Sequence, residues 1–543
     1  MANKGKQSSF VMQAGILAAA GLICKVIGIL YRSPLAHVIG DEGNGYYSSA
    51  YEIYTIILLV SSYSIPSAIS KVIAQQLALR RFRNARKIFH CALVYVVIVG
   101  GVASILTLLF ANVLVGGNSA PVLRIFAPTI FLSGILGVLR GYFQAHGTMV
   151  PTSFSQILEQ VLNAVVSILA AVLLMRMVAG QDDTTRAIYG ASGSAIGTGA
   201  GVLIALLFML FVLILNRPAI EKQVRRDKSG ELLETGEVYR IIITMVTPII
   251  LSTFIYNCNS SLNLTIYTRI MEYVKGMSEA DAYTQYGLFS GKAKQIANIP
   301  IALASAMSTA VIPGVSGSYA RKDIKETNRK IATAMKTTML LSIPSAVGLA
   351  VLAKPIVLLL YPQKASVDTV SWLLAGLSVS VVFYAISTIT NGVLQGIGKV
   401  NLPVINAAIA LVGQTAVLVL LLLFTDLGLH TLVIATVLYS FLMCILNGIS
   451  VKKQLGYRQE YVKTFCIPIW ASVIMGAAAF GVYYGLYRLL PVNVVCLAAA
   501  LFIAVILYFV LIIKMGAVRE RDLQALPKGK LIVRIARRCR LIP

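Results

Sequence analysis

The chain has 543 residues, of which 57% are hydrophobic and only 13% charged, with a formal net charge of +26 and a mean hydropathy of +0.81. A soluble protein carries about a quarter charged residues, so a water-soluble globular fold is excluded; many of the apolar runs approach the ~20 residues that cross a bilayer as a helix. They lack the alternation of barrel strands, and lipid admits only helices and closed barrels, which leaves an all-α polytopic membrane protein.

Fourteen spans are predicted, at residues 10–37, 46–75, 88–114, 120–146, 151–178, 189–215, 239–268, 290–317, 337–361, 368–397, 402–425, 429–450, 463–487 and 491–514. The first ten residues enter span 1 without a small-residue cleavage site, so no removable signal peptide is expected. Span 1 carries Lys25 and Arg32. Their spacing is close to two helical turns, which puts both cations on one face about 10 Å apart. A charge near mid-bilayer costs roughly 2.5–3.5 kcal/mol on insertion scales, so it faces a cavity or a partner. Two readings stand: a cationic face lining a polar path, or Arg32 snorkelling to the interface with Lys25 paired to Glu52 or Glu159. Residues 41–45 (DEGNG) form the outer turn before span 2, whose Tyr46, Tyr47, Tyr51 and Tyr54 read as an interfacial aromatic belt, although such rings also stack on sugars.

Glu159 lies about two turns into span 5 with Asn163 one turn further, as a proton or cation site or as the counter-ion of Lys25. Residues 216–238, the longest stretch outside the membrane, are rich in charge and read as a flexible linker. Span 7 places Asn257, Asn259, Ser260, Ser261, Asn263 and Thr265 after Pro248, either hydrogen-bonded to neighbouring helices or lining a path. Lys292 and Lys294 open span 8 at the outer interface, where they extend a cationic path or act as ordinary interfacial lysines. Pro66, Pro300 and Pro344 lie within spans and are candidate hinges. The residues expected to meet a substrate are therefore Lys25, Arg32, Glu52, Glu159, Asn163, Asn257, Asn259, Asn263, Lys292 and Lys294.

The position of the charges sets the orientation. With the N-terminus inside, the inner segments hold roughly 35 of the 47 Lys and Arg and the outer ones roughly nine. The clusters are Arg80, Arg81, Arg83, Arg86 and Lys87; Arg321, Lys322, Lys325, Arg329 and Lys330; Lys452 and Lys453; and the tail over 514–540. That asymmetry is an orientation signal rather than a nucleic-acid patch, and places both termini in the cytoplasm.

An internal repeat organises the chain. Span 4 ends in Gly141, Gln144, Gly147 and Pro151, and span 10 in Gly392, Gln395, Gly398 and Pro403. Each last Gly ends a helix and each Pro starts the next. Arg80, Arg81, Arg86, Lys87 and Ile88 after span 2 match Arg321, Lys322, Arg329, Lys330 and Ile331 after span 8 at nearly the same offset. Spans 1–6 and 7–12 thus read as two six-helix lobes in a parallel pseudo-two-fold repeat. Residues 1–228 form the first lobe, 229–456 the second, and 457–543 the two extra spans with a basic tail.

An enzyme is disfavoured: the four histidines, at 37, 90, 146 and 430, form no metal-ligand motif, and no phosphate loop of the Walker type occurs. The seven cysteines show no disulfide framework. Two non-identical halves fit rocking alternating access better than a symmetric pore. No cofactor is expected, and a sodium ion or a proton is the open candidate for coupling.

Several stretches resemble the family of stage V sporulation protein B: IPSAISKVIA at 65–74, RGYFQ at 140–144, PTSFSQILEQ at 151–160, IPIALASAMSTAVIP at 299–313 and GAVRERDLQALPKGK at 516–530. These motifs follow one another over nearly the whole chain. The family belongs to the multidrug/oligosaccharidyl-lipid/polysaccharide exporter superfamily, which includes the lipid II flippases. The resemblance implies two six-helix lobes facing a cavity that opens alternately to each side. It also implies basic residues of span 1 at the substrate's pyrophosphate, where Lys25 matches and Arg32 matches within about one position. Spans 13 and 14 would make a groove for the polyprenyl tail. The chain departs from the pattern at Asn163, where a basic residue is expected, and at Asn263, where an acidic one is common. The implied partner is a lipid-linked oligosaccharide, lipid II foremost, handled by a monomer in membrane lipid with no nucleic acid. The alternatives are a cation-coupled exporter of small molecules, which a basic cavity would repel if they were cations, and a membrane scaffold indifferent to Lys25 and Arg32.

Overall fold

The computed structural model describes residues 2–63, 65–227, 232–363 and 365–518. The basic tail beyond 518, with Cys539, and part of the predicted linker lie outside the described residues. The chain is all-α. In order, the helices are α1 (Ala2–Leu58), α2 (Ile65–Ala78), α3 (Phe82–Leu114), α4 (Ala120–Ala145), α5 (Val150–Met177), α6 (Asp183–Arg225), α7 (Thr235–Tyr273), α8 (Glu279–Gly287), α9 (Lys294–Ala320), α10 (Ile324–Val351), α11 (Ala353–Leu360), α12 (Val367–Gly396), α13 (Asn401–Phe424), α14 (His430–Leu455), α15 (Ile467–Leu489) and α16 (Asn493–Lys514). Short π-helical turns at Leu59–Tyr63 and Leu288–Ala293 interrupt spans 2 and 8. Among the described residues, 11 segments are long and apolar enough to cross a membrane by themselves. One of these, residues 19–61, covers most of span 1 and the first half of span 2; spans 7 and 8 fall on α7 and α9, which are not among the 11.

Two compact units divide the chain, Met1–Gly287 and Leu288–Pro543. The first therefore holds spans 1–7 and the short helix α8, and span 8 belongs to the second.

The repeat is written in backbone geometry. Gly147 (φ 77°) and Gly398 (φ 79°) take the left-handed turn after the two G-x-x-Q-x-x-G motifs. Their amides donate to Gln144 O (2.9 Å) and Gln395 O (3.0 Å), and the next residues donate to Phe143 O and Leu394 O. The two non-glycine residues with positive φ among those described, Arg80 (57°) and Lys322 (59°), end α2 and α9 in the same double-bonded cap. Equivalence extends to packing. A Cβ on Gly141 would lie 2.7 Å from the carbonyl oxygen of Pro66, and one on Gly392 would run into Ser308. In each lobe, then, the motif glycine makes room for the lobe's second span, for its main chain at Pro66 and for the Ser308 side chain.

Small residues also set the packing of α5 on α6. Cβ atoms at Gly193 and Gly197 would overlap Ala171 and Ser167, and one at Gly201 would sit 2.5 Å from Glu159 O. This is the small-residue ridge that lets membrane helices meet closely. Gly197→Val is expected to lower the thermal unfolding temperature of the detergent-solubilised protein by several degrees, overpacking costing about 1–3 kcal/mol. Gly180→Val, with nothing within 4 Å, should leave it unchanged. In the second unit, α15 and α16 pack against α10 and α11 through Leu352, Met475, Tyr483 and Leu497. Tyr508 Oη donates to Leu340 O (2.9 Å) and Asn493 Nδ2 to Pro355 O (3.0 Å).

Two expectations are corrected. Residues 41–45 are not a turn: the chain kinks at Gly40 (φ 72°, ψ −178°) and DEGNG is helical. Its polarity is met inside the fold, where Asn44 Nδ2 donates to Gly287 O (3.4 Å). The described parts of residues 216–238 are not a loose linker. The helix α6 continues to Arg225, Asp227 accepts from the Arg83 amide (2.7 Å), and Leu233 is held by Asn84 Oδ1 (3.0 Å) and Lys87 Nζ (2.6 Å).

Candidate functional site

The candidate site is a polar face of the first unit, built on α1. Lys25 is exposed and Arg32 is half-buried. The Arg32 guanidinium carbon stands 5.4 Å from the Tyr51 ring centroid, a cation–π distance. Beyond the Gly40 kink the helix turns back on itself, which is how one element carries both Arg32 and its tyrosine. The four tyrosines do not form an interfacial belt. Tyr46, Tyr47 and Tyr54 are buried and Tyr51 half-buried. Tyr47 stacks on Tyr51 (5.7 Å between centroids), and Tyr54 stacks on Phe126 of α4 (4.5 Å). The spacing 47, 51, 54 is one helical face, and that face points into the lobe.

Glu159 on α5 is engaged by Arg140 of α4. The Arg140 Nη2 lies 2.7 Å from Glu159 Oε2, and its Nε donates to Ser155 Oγ (2.9 Å). The pairing of Glu159 with Lys25 weighed from the sequence is thus replaced by a pairing with Arg140. One turn on, buried Asn163 gathers hydroxyls: Ser167 Oγ lies 2.9 Å and Thr198 Oγ1 3.4 Å from its Oδ1, and its Nδ2 donates to Tyr31 Oη (3.5 Å). Tyr47 Oη is 3.5 Å from Thr198 Oγ1. Uncharged, this cluster is a satisfied network that ties α1, α5 and α6 together.

Span 7 joins the same unit. Glu52 Oε2 accepts from Tyr286 Oη (2.7 Å), which is also 3.0 Å from Ser260 O. Asn257 is exposed, whereas Asn259 and Asn263 are buried. Asn259 Oδ1 and Ser261 Oγ are buried with no hydrogen-bond partner among the described residues. A buried acceptor left unmade costs about 1–3 kcal/mol, and no described contact of Asn259 offsets it.

Lys292 is not an exposed lysine. It is fully buried in the second unit, donating to Gln363 Oε1 and to Ser366 Oγ (3.1 Å), with its ammonium 5.4 Å from the Tyr361 ring centroid. The π-helical turn at 288–293 aims it at this cradle, which closes the start of α12. Lys294, the first residue of α9, is half-buried. Eight of the ten predicted site residues therefore fall in the first unit and two in the second.

Sequence reasoning missed Arg140 as a site residue. The rule that singled out Glu159, a charge inside a predicted span, applies equally to Arg140 near the end of span 4, and only its place in a family motif was noted.

An all-helical chain of fourteen spans, built from two repeated six-helix lobes with cations on its first helix, defines a polytopic membrane protein of the transporter class. The family model described as lipid II flippase MurJ matches residues 86–502, and the chain belongs to that family. Stage V sporulation protein B of Bacillus subtilis (strain 168) is 24% identical over 537 residues, covering 97% of this chain and 100% of that protein. Lipid II flippase MurJ of the same organism is 23% identical over 546 residues, covering 94% and 95%. Among solved structures, lipid II flippase MurJ in an inward closed conformation aligns with a TM-score of 0.67 at 16% identity, over 91% of this chain and 97% of that one. An inward-facing multidrug resistance MATE family transporter of the MOP superfamily gives 0.66 at 17%, over 80% and 94%. At these identities both structures show a shared fold.

Proposed function

We propose that this chain is a flippase that carries a polyprenyl-diphosphate-linked sugar, lipid II foremost, across the bacterial cytoplasmic membrane by alternating access. The observation that carries the reading is the α1 face with Lys25 exposed and the Arg32 guanidinium over Tyr51, in a chain of this family. The head group, a diphosphate with sugars, does not cross hydrocarbon unaided, whereas its tail never leaves it. Lys25 and Arg32 offset part of the desolvation of the diphosphate. The amide of Asn259 meets a sugar hydroxyl, and the tail rides against the apolar outer surface of α15 and α16. Both termini are cytoplasmic, and one chain supplies both lobes, so the monomer is the working unit.

The test is rescue of a bacterium whose own lipid II flippase is switched off, with lipid II in the outer leaflet as the readout. Rescue supports the reading, and absence of rescue with the protein present in the membrane counts against lipid II as substrate. The likeness to MATE transporters admits small-molecule export as a second reading. Cationic drugs would be repelled by Lys25 and Arg32, so resistance to such drugs on expression of this chain would favour that reading. Asn259→Leu removes a buried acceptor without a partner among the described residues and is expected to keep or raise the unfolding temperature while lowering flipping several-fold. A lowered unfolding temperature with normal flipping would make Asn259 structural.

A further inference from the structure

We infer that Arg140 is a third anion-binding cation of the first lobe, and that Glu159 occupies its guanidinium in place of the substrate's phosphate until that phosphate arrives. The inference rests on the flippase reading and deepens it.

The repeat supplies an internal control. Arg140 corresponds to Asn391, 251 residues further along, each standing just before the motif Gly of its lobe. There this helix, α12, is tied to its neighbours through α14 by neutral groups, amides and a hydroxyl. Asn447 Nδ2 donates to Asn391 Oδ1 (2.9 Å), and Asn406 Nδ2 lies 2.8 Å from Asn447 Oδ1 and 3.0 Å from Ser450 Oγ. Bracing this helix therefore needs no charge. In the first lobe the same place holds an ion pair, which carries a desolvation penalty that a neutral network avoids. A charge kept where neutral amides suffice has work beyond bracing.

The pair is also in the right place and only partly enclosed. Tyr51, the ring under Arg32, lies within electrostatic reach of both Arg32 and Glu159. Gly28, midway between Lys25 and Arg32 in sequence, is so close to α5 that a Cβ there would be 3.2 Å from Gln160 Nε2. The Arg140 and Glu159 side chains are 14% and 29% exposed. A guanidinium accepts a carboxylate or a phosphate through the same N–H fork, so a diphosphate can replace Glu159 without leaving Arg140 uncompensated. Glu159, the more exposed partner, is the one that moves to water. No bond is made or broken beyond hydrogen bonds.

The test measures binding of farnesyl diphosphate to the purified full-length protein by calorimetry. Glu159→Gln should tighten binding several-fold by removing the competitor, and Arg140→Gln should weaken it about tenfold. In the Arg140→Gln background, Glu159→Gln should no longer tighten binding, because the competition acts only through the guanidinium; a purely through-space charge effect would persist there and overturn the inference. Unfolding temperatures lowered in both variants with unchanged diphosphate affinity would also overturn it, leaving a structural ion pair. Should Arg140→Gln fail to fold, Arg140→Lys keeps the charge without the fork and should show intermediate affinity. No diphosphate binding by the unaltered protein, or binding indifferent to Lys25→Ala and Arg32→Ala, would sink the flippase reading as well. Binding that needs Lys25 and Arg32 but ignores Arg140 and Glu159 would sink this inference alone.

Discussion

Valine at Gly45 is expected to cut flipping about 5- to 150-fold while leaving the protein inserted. Gly45 on α1 and Gly287 at the end of α8 meet backbone to backbone, and a Cβ on either would overlap the other helix. For Gly45 the obstacle is main chain: Tyr283 C at 2.8 Å and Thr284 Cα at 3.0 Å, neither of which a side-chain rotation relieves. The contact is reinforced around it. Tyr283 Oη accepts from the Gly116 amide (2.5 Å), Glu279 Oε1 accepts from the Asn118 amide (3.0 Å), and Tyr46 Oη accepts from Asn118 Nδ2 (3.1 Å). Under the proposed orientation this junction lies at the outer end of the bundle. Alternating access requires it to part and re-form in every cycle, and overpacking disfavours re-forming by about 1–3 kcal/mol, which is the stated range. Gly45→Ala should fall between valine and the unaltered protein. The readout is the rate at which lipid-linked precursor reaches the outer leaflet, with membrane content of the protein as the control. Flipping at the normal rate in Gly45→Val would show that the junction does not re-form during transport.

The spans were legible because lipid enforces long apolar runs, and the repeat was legible because its turns need Gly at positive φ followed by Pro. Gly147, Gly398 and the two motifs show that chemistry directly. What escaped depended on partners distant in sequence. DEGNG reads as a turn by composition, yet Asn44 finds its acceptor 243 residues away at Gly287 and the segment stays helical. Lys292 has the sequence signature of an interfacial lysine, and partners such as Gln363 and Ser366, more than seventy residues on, make it a buried one. The tyrosines were misread for a different reason. Residues 47, 51 and 54 share one face by spacing alone, but spacing does not say whether that face meets lipid or Phe126. In the site itself, Lys25, Arg32 and Glu159 were found by the cost of charge in a bilayer. Arg140, a charge near the end of span 4, was noted only within the family stretch RGYFQ.

Alanine at both Lys25 and Arg32 is expected to abolish flipping while the protein remains in the membrane at normal level. Each charge-assisted hydrogen bond to a diphosphate contributes about 1.5–3 kcal/mol. Losing two such contacts lowers affinity about 10²- to 10⁴-fold, enough to leave the head group in water. Neither side chain is a core brace, since Lys25 is exposed and Arg32 half-buried, so folding should survive the change. The two positions differ in what they tolerate. Lys25→Arg keeps an exposed cation and should retain most activity. Arg32→Lys keeps charge but loses the planar group that lies over Tyr51, and a stacked arginine is not equivalent to a lysine. It should therefore fall between the unaltered protein and Arg32→Ala, and Tyr51→Leu should cost Arg32 part of its effect. The measurement is the same outer-leaflet assay, run on the single and double variants beside an immunoblot of the membrane fraction. Normal flipping in the double alanine variant would remove the α1 face from the substrate's path, whatever the family likeness, because Lys25 and Arg32 are the two Lys and Arg residues of span 1.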